Sequence, residues 1–266
     1  MRLSRPILTK RTYLPAYLLI AVLLVLSACS SATPATPTPV PPTTAPAANA
    51  AASSDVASEI AAADAGKSPC IGVQPAANEN IPTDASSKKW TAPEVVTFGN
   101  KLYCAILTTK NGRIVAELFP KIAPKNVNNF VFLAKQGYYE NITFHRVIAG
   151  FMAQSGDPTG TGGGGPGYDN IPLETNPAIK YDREGRVGVA RTSDPNSAGS
   201  QFFITFVPQP NLDAQPGSDG YTIIGQVVEG MNTVRQIAIR DVDKTPNLPT
   251  GDALISVRIV ELPVTK

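Results

Sequence analysis

Between Ser30 and Lys89 the chain contains no aromatic residue, and Trp90 is the first to follow a long stretch dominated by Ala, Thr, Ser and Pro. A segment of that kind carries too little large apolar surface to offset the entropy lost on ordering it. The core must therefore be built from residues beyond about Trp90. That leaves roughly 170 residues, a length suited to one compact domain.

The residues before that domain read as a leader and a tether. Arg2, Arg5, Lys10 and Arg11 precede an apolar run from Tyr13 to Leu26, and small residues lead up to Cys29. This is the layout of a secretory signal peptide, over residues 1–28. Leu26-Ser27-Ala28-Cys29 also resembles a bacterial lipobox, in which Cys29 is acylated and becomes the membrane anchor. The alternative is an uncleaved membrane anchor, for which the apolar run is short. Both place the remainder outside the cytoplasm. Residues 29–66, with six prolines between Pro34 and Pro46, read as a disordered tether, and residues 67–95 as an extension carrying Cys70. A flexible chain of about 60 residues reaches roughly 40 Å, enough to hold the domain, residues 96–266, clear of a membrane.

The formal charge is +2, from 23 Lys and Arg against 21 Asp and Glu. Four of the basic residues lie in the leader, so the rest is near neutral and calls for no nucleic acid. Besides Cys29 the cysteines are Cys70 and Cys104. In an oxidising compartment such a pair reads as a disulfide; the other reading is a Cys104 nucleophile served by His145, the only histidine, with no third group in view to orient it.

Beyond Lys101 the pattern becomes regular. Tyr103, Ala105 and Leu107 alternate, as do Ile114, Ala116 and Leu118, and Asn111-Gly112 between them predicts a hairpin with a type I′ turn. Pro124 opens a helix with Val127, Phe130, Val131 and Ala134 on one face, and Gly137 closes it. Strand-like runs follow at 143–148, 152–155, 188–190, 201–206, 221–228 and 254–261, with a second helix over Met231–Ile239. Eight such runs and two helices predict a mainly β fold, a closed eight-stranded antiparallel β-barrel capped by two α-helices.

Several chemistries are poorly supplied. One histidine does not furnish a histidine-rich metal site, and no phosphate loop or G-x-S-x-G elbow is present. Gly160 to Gly165 matches G-x-G-x-x-G but runs into Pro166-Gly167 rather than a helix, so it reads as a surface loop. Neither metal nor cofactor is expected. What stands out is Phe144-His145-Arg146-Val147-Ile148-Ala149-Gly150-Phe151-Met152-Ala153-Gln154-Ser155-Gly156-Asp157. On an extended strand Arg146 shares a face with Phe144 and Ile148. The plain reading is an arginine whose stem covers a barrel rim.

That segment resembles the F-H-R-V-I-x-G-F-M-x-Q-x-G-D motif of the cyclophilin family, with Ala149 where many members have proline. Gly160-Thr161-Gly162-Gly163 resembles the family's glycine-rich loop, and Ser200-Gln201-Phe202-Phe203-Ile204 its S-Q-F-F-I strand. Tyr221 to Gly225 and Val228-Glu229-Gly230-Met231 are similar too. The resemblance covers about 160 residues and says nothing of residues 1–95. It implies a peptidyl-prolyl cis/trans isomerase that is monomeric and acts on proline-containing polypeptides. Arg146 would be its main catalytic group. Phe151, Met152, Phe203 and Leu212 would line the proline pocket, and Gln154, Gln201, Gly160, Ala190, Arg191 and Thr192 would hold the peptide backbone. Arg191 stands where well-known members have Asn, and Tyr221 where they have His. Asn211 takes the place of a common Trp or Phe, so weak binding of cyclosporin is expected. The rival readings are a proline-peptide binding module without turnover and an assembly protein of the cell envelope.

Overall fold

The computed structural model describes residues 48–76, 81–82, 85–97, 100–242, 244–245 and 247–264. The leader, Cys29 and the first part of the tether lie outside the described residues. The hairpin forms as β1 (Lys101–Thr109) and β2 (Gly112–Leu118), in a register running from Tyr103 opposite Leu118 to Thr109 opposite Gly112. The turn is displaced from the expected one. Its central residues are Lys110 and Asn111, neither with positive φ, and Gly112 carries a φ of 131°. A type I′ turn needs positive φ at both central positions, so the expected turn type is corrected while the pairing stands.

Helix α2 (Pro124–Lys135) begins on its proline, and its amide end is closed from a distance. The Glu174 carboxylate accepts from the backbone N–H groups of Lys125 at 3.1 Å and Asn126 at 2.9 Å, the role an N-cap side chain plays locally. The remaining strands are β3 (Ile142–Thr143), β4 (Arg146–Ile148), β5 (Met152–Ser155), β6 (Arg186–Val189), β7 (Phe202–Thr205), β8 (Ile223–Glu229) and β9 (Ala253–Pro263), with α3 (Met231–Arg235) shorter than predicted. Among the described residues they form one antiparallel sheet in the order β3-β9-β1-β2-β8-β6-β7-β5-β4. The expectation of eight strands closed into a barrel is thus corrected to nine strands in a strongly curled sheet with two ends. The extra strand arises because the run 143–148 breaks at Phe144-His145: β3 pairs with β9, and β4 pairs with β5. Phe144 leaves the strand face it was to share with Arg146 and is fully buried.

A second correction concerns the tether. Its second half is helix α1 (Ala48–Asp64), not disordered chain. No proline lies between Pro46 and Pro69, and an alanine-rich stretch free of proline favours helix. Composition averaged over residues 29–66 hid that change. Ile60 and Ala63 of α1 join the main core. Past α1 the chain reaches Cys70, which is disulfide-bonded to Cys104 with a Cα separation of 5.5 Å. These cysteines, Ile106 and Val115 form a second small core on the outer face of β1 and β2. That is why β1 is buried on both faces although its alternation predicts one. Further along, the Trp90 ring packs edge-on against Phe132 and Tyr138, so α2 is covered on a second side as well.

Candidate functional site

Cross-strand register assembles the site. Arg146 on β4 stands opposite Gln154 on β5, Gln154 opposite Phe203 on β7, and Phe203 opposite Gly188 on β6. Residues in one such row are direct neighbours on one sheet face, about 5 Å apart. Gly188 is required there: a β-carbon would lie 2.3 Å from both the Phe203 ring and the Tyr181 hydroxyl. With no side chain in the way, Phe203 stacks on Tyr181 at 5.9 Å and meets Tyr221 edge-on at 6.0 Å.

The apolar residues expected to line a proline pocket lie at this end. Met152, Phe203 and Leu212 are buried and Phe151 is half-buried. Phe151 is tied down by its carbonyl, which accepts from the Phe206 N–H at 2.9 Å, and Leu212 closes the 3-10 turn Pro210–Leu212 and accepts from the Tyr221 N–H at 3.0 Å. Asn211, in the same turn, is exposed. Arg146 is half-buried.

Beside this row the two glutamines are linked. Gln154 Nε2 donates to Gln201 Oε1 at 2.8 Å, and Gln201 Nε2 donates to the Gly162 carbonyl at 2.8 Å. Both line a cleft of about 470 Å³, together with Ala190 and the glycines Gly162 to Gly165. Gly160 is not on that surface; the glycines that reach it begin two residues later. Arg191 is engaged with its own surroundings: Nη2 donates to the Gly220 carbonyl at 2.7 Å and the guanidinium sits 4.6 Å over the Tyr221 ring. Thr192 is exposed and its hydroxyl bonds to Ser197.

Sequence reasoning assigned no role to Asp157, which the structure puts at the centre of the glycine loop. Its carboxylate is fully buried and accepts from the N–H groups of Thr159 at 2.7 Å, Thr161 at 3.0 Å and Gly162 at 2.6 Å. Burial pushes this carboxyl up, but the hydrogen bonds from Thr159, Gly164 and Gly162 outweigh it and hold it below the usual range. The available signal was a buried-type acid just ahead of a run of glycines, whose free amides need an acceptor. His145 is buried, and burial, opposed by the nearby Asp157 charge, keeps its pKa below the ordinary value. Cys104, being disulfide-bonded, presents no thiol to it. Among the described residues no group of acidic, histidine or cysteine side chains could hold a metal ion, and no helix is long and apolar enough to cross a membrane.

Comparison with known proteins points one way. A family model described as cyclophilin type peptidyl-prolyl cis-trans isomerase/CLD matches residues 103–262. The chain is 41% identical over 155 residues to peptidyl-prolyl cis-trans isomerase-like 1 of Aspergillus niger, covering 58% of this chain and 92% of that one. It is 43% identical over 145 residues to the protein of the same name from Rhizopus delemar, covering 54% and 84%. Among solved structures, a cyclophilin type peptidyl-prolyl cis-trans isomerase of Cryptosporidium parvum superposes with a TM-score of 0.53 at 34% identity, over 61% of this chain and 99% of that one. The same protein crystallised in the presence of the dipeptide Ala-Pro gives a TM-score of 0.52 at 34% identity, over 59% and 98%.

Proposed function

Since the chain belongs to the cyclophilin-type peptidyl-prolyl cis-trans isomerase family, we propose that it accelerates rotation of X-Pro bonds in extracytoplasmic polypeptides, with Arg146 as its catalytic group and a lipid on Cys29 as its anchor. The observation that carries the catalytic part is the row Arg146, Gln154, Phe203 on three successive strands of the sheet. The solved relative crystallised in the presence of Ala-Pro supports a proline ligand. The leader sequence and the Cys70–Cys104 disulfide support an oxidising compartment.

The chemistry required is rotation without bond cleavage. Amide resonance sets a barrier of about 20 kcal/mol and relaxation over roughly 10 to 100 s. The apolar end of the site, Phe151, Met152, Phe203 and Leu212, holds the proline ring. Gln154 and Gln201 offer amides to the flanking backbone. The planar guanidinium fork of Arg146 donates toward the amide nitrogen whose lone pair is released in the twisted form. An acceleration of about 10⁵ needs about 7 kcal/mol of preferential stabilisation, within reach of a charge-assisted hydrogen bond in a partly desolvated site together with positioning.

The test is Arg146→Lys, which keeps the charge and most of the stem but loses the fork. We expect the variant to melt like the parent and to bind a proline peptide within several-fold, while exchange-rate NMR shows isomerisation slowed by on the order of 10², about 2.7 kcal/mol. Near-parental catalysis in the folded variant would favour a binding module instead. For the anchor, Cys29→Ala should release the protein from membranes or block its processing.

A further inference from the structure

The family match begins at Tyr103, yet one wall of the cleft beside the glutamine pair comes from the chain before it. Lys89 lines that cleft, and its place is fixed. The Trp90 N–H donates to the Pro166 carbonyl at 2.7 Å, and the Trp90 ring is held by Phe132 and Tyr138 at 5.8 and 5.9 Å. Gly167 has a φ of 103°, and a β-carbon there would lie 2.7 Å from the Trp90 carbonyl oxygen and 3.0 Å from the Lys89 β-carbon. The two segments are therefore in close backbone contact, with no room for a side chain between them. The Lys89 ammonium donates to the Gly165 carbonyl, which uses one of its three N–H groups.

The charged side chains on the cleft surface are Lys89, Arg191 and Asp169. None of the three forms an ion pair among the described residues; the Arg191 guanidinium is spent on carbonyls and a ring. On the surface two cations face one exposed carboxylate; the Asp157 carboxylate beneath the glycines offsets one of them but is buried and taken up by the N–H groups of Thr159, Thr161 and Gly162, so a ligand meets the exposed Lys89 more directly. The cleft also lies within reach of a bound peptide. Gln154, which lines it, neighbours both Arg146 and Phe203, and an extended chain advances about 3.3 Å per residue. That brings a side chain one or two residues from the proline within reach of the cleft.

Building on the isomerase reading, we infer that this cleft, completed by the segment ahead of the family domain, selects an acidic side chain flanking the substrate proline. Lys89 sets that preference and Asp169 opposes it. Both charges are exposed to solvent, so the effect is several-fold and falls with salt.

The experiment measures kcat/KM on a set of short peptides in which Glu, Gln or Lys occupies each of the two positions on either side of one X-Pro bond. At low salt we expect the parent to prefer Glu over Lys by roughly three- to ten-fold at one of these positions. Lys89→Glu should abolish or reverse that ratio, Asp169→Asn should raise it, and 0.5 M salt should flatten all three. A structural disturbance would not move the two variants in opposite directions, and melting curves confirm that each is folded. The same ratios are read as affinities by peptide titration, so the cleft is scored even if the parent turns over no peptide, an outcome that would count against the isomerase reading alone. Equal Glu-to-Lys ratios in parent, Lys89→Glu and Asp169→Asn at every position would overturn the inference.

Discussion

Arg186 and Arg146 lie on the same sheet under opposite conditions. Arg186, on β6, is 1% exposed, and its guanidinium meets Asp64 at 2.8 Å, Asp182 at 3.0 Å and the Lys180 carbonyl at 2.8 Å. Arg146, on β4, is half-buried among amide and apolar neighbours at the open groove. A buried guanidinium held by two carboxylates and a carbonyl is fixed in place, and its worth lies in stability. One at a groove surface can change partners when a ligand arrives. The first belongs to a clamp that fastens α1 and the following residues to the sheet, together with the disulfide, the Lys121–Glu59 pair at 3.2 Å, and Glu229, which receives the Gly72 N–H at 2.9 Å and Arg113 at 2.6 Å. The division predicts that damage to the clamp costs stability and damage to the groove costs function.

The largest effect should come from Arg186→Ala. Removing Arg186 leaves Asp64 with only the partly exposed Arg183, at 3.3 Å, and opens a cavity beneath it, a loss of about 3 to 5 kcal/mol for pair and cavity together. Denaturant titration should show that loss while the fraction that remains folded isomerises proline peptides at close to the parental rate. A collapse of catalysis in well-folded Arg186→Ala would break the separation between clamp and groove. Next in size is the Cys70→Ala, Cys104→Ala pair. The bridge spans a sequence separation of 34, and loop-closure entropy puts its contribution at about 3 to 4 kcal/mol. Here too the midpoint should fall and the groove should keep its activity; an unchanged midpoint would remove the disulfide from the clamp.

The groove was far more legible in the sequence than the clamp, for a physical reason. The Phe144–Asp157 segment, the Ser200–Ile204 strand and the glycine loop are short, and each carries its chemistry in adjacent residues. Their side chains converge through local strand register, which period-two alternation reveals. The clamp is made of pairs far apart in the chain, such as Asp64 with Arg186 and Gly72 with Glu229, and no local pattern announces them. Helix α1 was concealed by proline-rich neighbours, and the break at Phe144-His145 shows only in the long-range pairing of β3 with β9 and of β4 with β5. Asp157 was missed because its partners are backbone amides, which every residue has.

The clamp should also give the protein a pH dependence. Glu117 on β2 is 1% exposed; burial, against a hydrogen bond with Ser68 and reinforced by the Glu59 and Asp64 charges, pushes its carboxyl up to about 7 from 4.5. The folded pKa is above the unfolded one, so the folded state holds the proton more tightly. The stabilisation is complete below pH 4.5 and is lost as pH rises through about 7, by at most about 3 kcal/mol. His145 works the other way, since its lowered pKa costs stability as pH falls. Glu117→Gln isolates the first contribution: its unfolding free energy should fall less than the parent's between pH 5 and 8. Parallel pH curves for the two proteins would mean that Glu117 is ionised in the fold.

The smallest effect sharpens the comparison from the groove side. Asn211 is exposed in the turn whose next residue, Leu212, is buried at the apolar end of the site. In the family resemblance an aromatic ring stands at this position and its indole N–H is associated with cyclosporin binding, so we predict weak inhibition of the parent chain. Asn211→Trp adds a ring that projects into solvent in the free protein, displaces no core side chain and demands no new cavity, so its melting curve should match the parent's within the spread of ordinary surface substitutions. Bound against a ligand, the same ring would cover apolar surface and donate one hydrogen bond, together worth about 1.4 kcal/mol or a tenfold gain in cyclosporin affinity. Inhibition titrations with both proteins measure the ratio. A tenfold gain with an unchanged melting point would show the groove altered in function without touching the clamp. Tight inhibition of the parent would mean that Asn211 does not occupy the aromatic wall position, and a shifted melting point in Asn211→Trp would mean that the turn is coupled to the core after all.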